Sequence, residues 1–155
     1  MNERREPPIM MVGVDGSASS IEALRQAERF AIRMGAQVQA LTCWAVPTIY
    51  EDPYGVGFVD YEKSAQKVLD QAVEQAFGVD WPENLTTRLV RGPTRETLIE
   101  ESRHAMMLVL GRRGFGGFRG LLMGSVSSAC IAHAHCPVLV VHDGNGAGKR
   151  GNHHA

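Results

Sequence analysis

Residues 106–127 read MMLVLGRRGFGGFRGLLMGSVS. The apolar run Met106 to Leu110 predicts a buried strand, and Gly111 ends it. From Gly111 to Gly124 there are six glycines in fourteen residues. Ser125 then has the chemistry to cap a helix carrying Val126, Ala129, Cys130 and His133. A flexible linker would be rich in Gly and Ser. It would not carry Phe115, Phe118, Leu121, Leu122 and Met123, side chains suited to packing. Glycine lets a backbone approach a ligand closely, and a helix N-terminus offers unpaired N–H groups with partial positive charge. The pattern points to a phosphate-binding turn, against the plainer reading of a structural loop.

Upstream, Ile9 to Val14 is an apolar strand closed by Asp15-Gly16-Ser17. The Ser19 and Glu22 spacing predicts a capping box opening a helix, with Ile21, Leu24, Ala27, Ala31 and Met34 at helical spacing until Gly35. Gln37 to Trp44 reads as a second strand. Residues 45–60 carry Pro47, Pro53, Gly55 and Gly57 and predict a long loop. A second amphipathic helix runs from Tyr61 to near Gly78, on Ala65, Val68, Leu69, Ala72, Val73 and Ala76. Leu85 to Val90 is a short strand, a third helix lies around Glu96 to Arg103, and Val138 to Val141 is the last strand. This βαβαβαβαβ order predicts a doubly wound α/β domain, a parallel sheet with helices on both faces. The domain spans residues 9–142, with a disordered N-terminus over 1–8 and a disordered tail over 143–155.

The chain has 155 residues, 44% hydrophobic, enough for one domain with a substantial core. A formal net charge of −1 argues against broad nucleic-acid or membrane-surface binding. Between Arg103 and His142, however, there are four Arg, four His and no acid, a stretch that attracts anions unless the acids merely cluster elsewhere. Cys43, Cys130 and Cys136 form no C-x-x-C pair and predict buried, reduced thiols rather than a redox site. With no apolar leader and no run near the ~18 residues of a membrane helix, the expected location is cytoplasmic. His133 and His135 sit near a helix end, which accounts for them without a zinc site. His153 and His154 lie in the tail.

Familiar phosphate motifs do not fit. Gly144 to Lys149 places three residues, not four, between Gly and Gly-Lys, and Gly114-Phe115-Gly116 has Arg119 where a dinucleotide fingerprint needs its last glycine. The loop does match G-x2-G-x9-G-[S/T], as Gly111, Gly114, Gly124 and Ser125. Together with IMMVGVDGSASSIEAL, RGPTRETL and HAHCPVLVVH, in that order over nearly the whole chain, it resembles the ATP-binding branch of the universal stress protein family. One departure is Met106, where the family commonly has Asp; its place at the far end of the strand bears on capping or packing rather than on nucleotide.

The resemblance implies a strand order of 3-2-1-4-5, bringing the loops after strands one and four together. It implies that Gly111, Arg112, Gly114, Gly124, Ser125, Val126 and Ser127 hold phosphates and ribose, and that Val14, Asp15, Gly16 and Ser17 form the other wall. Backbone near Thr42 and Cys43 would meet the adenine edge. Asp15 would bind ribose or help hold Mg²⁺ on the phosphates of ATP. For Asp15-Gly16-Ser17 the plainer reading is an ordinary turn and helix start.

The loop carries arginines and hydroxyls but no carboxylate or His, so a binding and regulatory role with an unknown protein partner is expected ahead of catalysis. The alternatives are a weak ATP hydrolase, a binder of AMP or cyclic AMP, and, ranked last, a flavodoxin-type flavin binder, whose phosphate loop usually follows the first strand. The apolar closing strand is expected at a sheet edge, where it would pair with a second copy in a homodimer.

Overall fold

The computed structural model describes residues 5–47, 60–114 and 123–143. Residues 48–59 of the long loop expected over 45–60, residues 115–122 of the glycine loop, residues 1–4 of the expected disordered N-terminus and residues 144–155 of the expected tail lie outside the described residues.

Five strands form one parallel sheet: β1 (Ile9–Gly13), β2 (Gln37–Trp44), β3 (Leu85–Arg91), β4 (Met107–Gly111) and β5 (Val138–Val141), in the spatial order β3-β2-β1-β4-β5. The connecting helices are α1 (Ala18–Met34), α2 (Tyr61–Phe77), α3 (Thr94–Glu101) and α4 (Ser125–His133), with a 3-10 turn over Ser102–His104. This is the expected doubly wound α/β fold, and its winding reverses between the neighbours β1 and β4.

Strand alternation builds two cores. On one face Met10 and Val12 of β1 pack with Leu24, Ala27 and Ala31 of α1 and Leu69 and Val73 of α2. On the other, Met11, Leu108 and Leu110 meet Leu98 of α3 and Cys130 of α4. Gly13 belongs to this second face. A Cβ there would lie 2.6 Å from Leu110 Cδ2 and 3.3 Å from Leu98 Cδ1, so its missing side chain lets α3 close on the strand ends.

Two expected caps fall on other residues. Ser17, not Ser19, caps α1: its side chain accepts from the Ser20 N–H, while Glu22 turns outward to Arg25 Nη1 at 3.0 Å and Gln26 Nε2 at 3.2 Å. At α4 the N-cap is Gly124, with Ser125 already helical, and no side chain caps the end. Met34, expected on the apolar face of α1, is 51% exposed. Gly35 ends α1 as expected, at φ 64°, in the left-handed region that suits glycine.

Met106, the departure from the family pattern, is half-buried against the first core, and its N–H donates to Ile9 O at 2.8 Å. The position serves packing at the strand's start, far from the glycine loop. Of the three free thiols only Cys130 is buried; Cys43 and Cys136 are half-buried.

Candidate functional site

A cleft of about 600 Å³ opens over the carboxyl ends of the central strands, at the point where the winding reverses. Three segments wall it. Val14, Asp15 and Ser17 follow β1; Thr42 and Cys43 end β2; Gly111, Gly114 and the stretch Gly124 to Ser127 come from the β4–α4 connection. Two residues expected in the site do not line it. Gly16, at φ 85°, makes the turn between Asp15 and Ser17. Arg112 sends Nη1 to within 3.2 Å of His142 Nδ1 at the end of β5. Its neighbour Arg113 faces the cleft instead. Arg112, the one named by the family resemblance, lies one residue past β4, with its N–H donating to Val141 O at 2.8 Å.

The polar end of the cleft is built by backbone. The N-termini of α1 and α4 meet there. At α4 the first intrahelical bond is Ser128 N to Gly124 O at 3.0 Å, which leaves the N–H groups of Ser125, Val126 and Ser127 without helical acceptors. Glycine is needed where the loop touches α1: a Cβ on Gly111 would overlap Ser19, whose backbone C would be 2.7 Å away. A Cβ on Gly114 would press on the Asp15 carboxylate oxygen Oδ2, which would have to move.

Of the two loop hydroxyls expected to hold phosphate or ribose, that of Ser127 is engaged within the protein, as is that of Ser17 on the other wall. Ser127 Oγ donates to Gly111 O at 2.7 Å, and Ser17 Oγ donates to Asp15 Oδ1 at 2.5 Å. Asp15 Oδ1 also accepts from the Ser17 N–H at 2.9 Å, fixing the carboxylate at the mouth of the cleft. Ser125 is exposed and is the hydroxyl of this loop nearest to solvent. Thr42 Oγ1 donates to Val14 O at 2.8 Å, and the Val14 N–H to Leu41 O at 2.9 Å, which locks the first two strand ends together.

The opposite end is apolar. Leu41, Leu98 and Leu110 form its floor, and Ala65 and Val68 of α2 its side. The sequence placed Ala65 and Val68 on a helix face packed into the core; only the position of α2 over the end of β2 turns them toward the cleft. Burial pushes the Cys43 thiol up to about 11, with the negative charge of Glu101 and the nearby Cys130 adding to it, so it stays protonated at neutral pH. Among the described lining residues Asp15 is the only acid and Arg113 the only base. Among the described residues no three His, Cys, Asp or Glu side chains converge as a metal site. His133 ends α4 exposed, and the His135 N–H donates to Ser102 Oγ at 2.9 Å.

The cleft therefore joins a stretch lined by apolar side chains to one lined by glycine turns and helix N-termini. Comparison with known proteins agrees with its setting. A universal stress protein of Mycobacterium tuberculosis is 32% identical over 140 residues, which cover 86% of this chain and 47% of that protein. One of Mycolicibacterium smegmatis is 33% identical over 137 residues, 85% of this chain and 45% of that one. The chain thus spans about half the length of the curated relatives it matches.

Among solved structures, a universal stress protein in complex with cAMP superposes with a TM-score of 0.66 at 24% identity, covering 88% of this chain and 97% of that one. An Arabidopsis thaliana member with AMP bound gives 0.54 at 21% identity, covering 88% and 92%. An Archaeoglobus fulgidus member in complex with dAMP gives 0.56 at 18%, covering 88% and 98%. At these identities the likeness is one of fold. Residues 8–142 match the family model directly, and the chain belongs to the universal stress protein family.

Proposed function

We propose that this chain binds ATP in the cleft and acts as a nucleotide-dependent regulatory protein, through its conformation or a protein partner. The observation that carries the reading is the contact of Gly111 with Ser19 of α1 and of Gly114 with Asp15 before it, which brings two glycine turns and two helix N-termini to one cleft. The phosphates take backbone N–H groups of Gly114 and of Ser125 to Ser127. Arg113 supplies the charged side chain there, the role the sequence had suggested for Arg112. Base and ribose take the apolar slot, with backbone near Thr42 and Cys43 at the base edge. Asp15, the one described acid lining the cleft, would supply a carboxylate to a Mg²⁺ carried by the phosphates.

A second reading, a preference for AMP or cyclic AMP, draws on the monophosphates held by solved relatives. Hydrolysis is at most slow on this proposal, because Asp15 is the one described acid at the cleft and its Oδ1 already accepts two bonds from Ser17. Among the described residues no helix is long and apolar enough to cross a membrane, and a cytoplasmic homodimer joined through the β5 edge remains part of the proposal. Calorimetric titration with Mg-ATP, ADP, AMP and cyclic AMP tests it. Saturable binding tightest for Mg-ATP is expected. Tighter binding of a monophosphate moves the assignment to the second reading, and no binding of any member of the series overturns both.

A further inference from the structure

Ser19 does not line the cleft, yet it is the residue on which the glycine loop rests. It is 5% exposed, and its hydroxyl donates to the carbonyl of Arg113 at 2.5 Å. The two preceding carbonyls are also taken: Gly111 O by Ser127 Oγ at 2.7 Å and Arg112 O by the Gly124 N–H at 2.8 Å. Three consecutive carbonyls at the start of the loop are thus held by donors from three different places. Gly111 packs directly on the Ser19 side chain, so no larger residue fits between them.

A trans peptide points its C=O and its N–H in opposite directions. No cis bond occurs among the described residues, so a carbonyl of Arg113 held on Ser19 turns the N–H of Gly114 away from α1. Gly114 lines the cleft, and its N–H has no hydrogen-bond partner among the described residues. We propose that Ser19 is a positioning residue for phosphate recognition, which fixes the Arg113–Gly114 peptide so that the Gly114 N–H is presented to an anionic oxygen of the ligand.

The inference rests on the nucleotide-binding reading above. Without the hydroxyl this peptide is free to rotate, and its carbonyl then competes for the space of the phosphate. The cost falls on ligands in proportion to their phosphate and leaves the apolar slot alone. That pattern separates positioning from general loosening of the fold, which weakens all ligands together.

The test is titration of wild-type protein and Ser19→Ala with Mg-ATP and with adenosine, alongside thermal unfolding and the ¹H–¹⁵N resonance of the Gly114 amide in the unliganded protein. Ser19→Ala is expected to weaken Mg-ATP about five- to tenfold, the equivalent of one lost hydrogen bond, while adenosine changes less than about twofold and the Gly114 resonance moves. Equal loss for both ligands, or no loss for Mg-ATP, overturns the role. Should Ser19→Ala fail to fold, Ser19→Cys keeps the volume with a weaker donor and the same comparison applies. If wild-type protein binds neither ligand, the parent reading fails and takes this one with it. Wild-type binding with an unselective variant sinks only the Ser19 role.

Discussion

Cys43 and Asp15 line the same cleft in different surroundings. Asp15 is exposed and held by two bonds from Ser17 to one of its oxygens, which leaves the other beside Gly114. Cys43 is half-buried, and burial raises its thiol to about 11 from an ordinary 9.0. A thiol raised in the folded state stabilises the fold fully below its unfolded value, and that contribution is lost as pH climbs from about 9 toward 11. Thermal stability should therefore decline over that window, and the decline should be shallower in Cys43→Ala. Iodoacetamide should label Cys43 slowly at pH 7, and more slowly still with saturating Mg-ATP; rapid labelling at pH 7 in the presence of nucleotide would remove Cys43 from the site.

At the level of elements, the start of α1 does two jobs: it opens a helix and forms a wall of the cleft. Ser17, Ser19 and Ser20 lie within four residues, and each has N-cap chemistry. Sequence pattern favoured Ser19, because Glu22 stands at capping-box distance. What decides the matter is Asp15, two residues before Ser17: it draws in the Ser17 N–H and hydroxyl and sets the extended conformation from which the helix begins. Replacing Ser17 by Ala should cost about 1 kcal/mol, read as a lower midpoint in chemical denaturation with an unchanged slope. Ser19→Ala loses its bond to Arg113 O but should leave the Ser20 amide capped. A Ser20 amide resonance that moves in Ser19→Ala and not in Ser17→Ala would place the cap on Ser19.

Across the whole molecule, strand order and the reversal point were readable before any coordinates, because motif order along the chain resembles one family and short crossovers leave few topologies. The bounds of β2 and the end of α1 at Gly35 were equally plain, since strand alternation and a left-handed glycine are local signals. The apolar half of the site was not. Ala65, Val68, Leu98 and Leu110 look like core in sequence, and only the packing of α2 and α3 over the strand ends converts part of that core into a slot. The exchange of Arg113 for Arg112 was hidden for a related reason. Just past a strand end, a shift of one residue decides which of two neighbours lines the cleft, and here it is Arg113.

The edge position of β5 sets a prediction at the same scale. Pro137 and Val141 direct their carbonyls to β4, accepting from Leu108 and Arg112, so alternation turns the backbone of Val138 and Val140 to the open edge. Val140→Pro removes an outward donor without touching the ladder to β4. Light scattering at micromolar concentration should show a dimer for the wild type and a shift toward monomer for this variant. A wild-type monomer, or a variant that dimerises equally well, would place any self-association elsewhere.

On the proposed reading the glycine loop and the turn before α1 form one phosphate site, and Gly114 meets that turn at the Asp15 carboxylate. Calorimetric titration of wild-type protein and Gly114→Val with Mg-ATP tests it most directly, with circular dichroism to confirm that the variant folds. Saturable binding to wild-type protein is expected, with at least a tenfold loss in the folded variant, whose side chain would occupy the space of the Asp15 carboxylate and of the incoming phosphate. Equal affinity in the two proteins, or no binding to either, would contradict it and leave the loop a purely structural one.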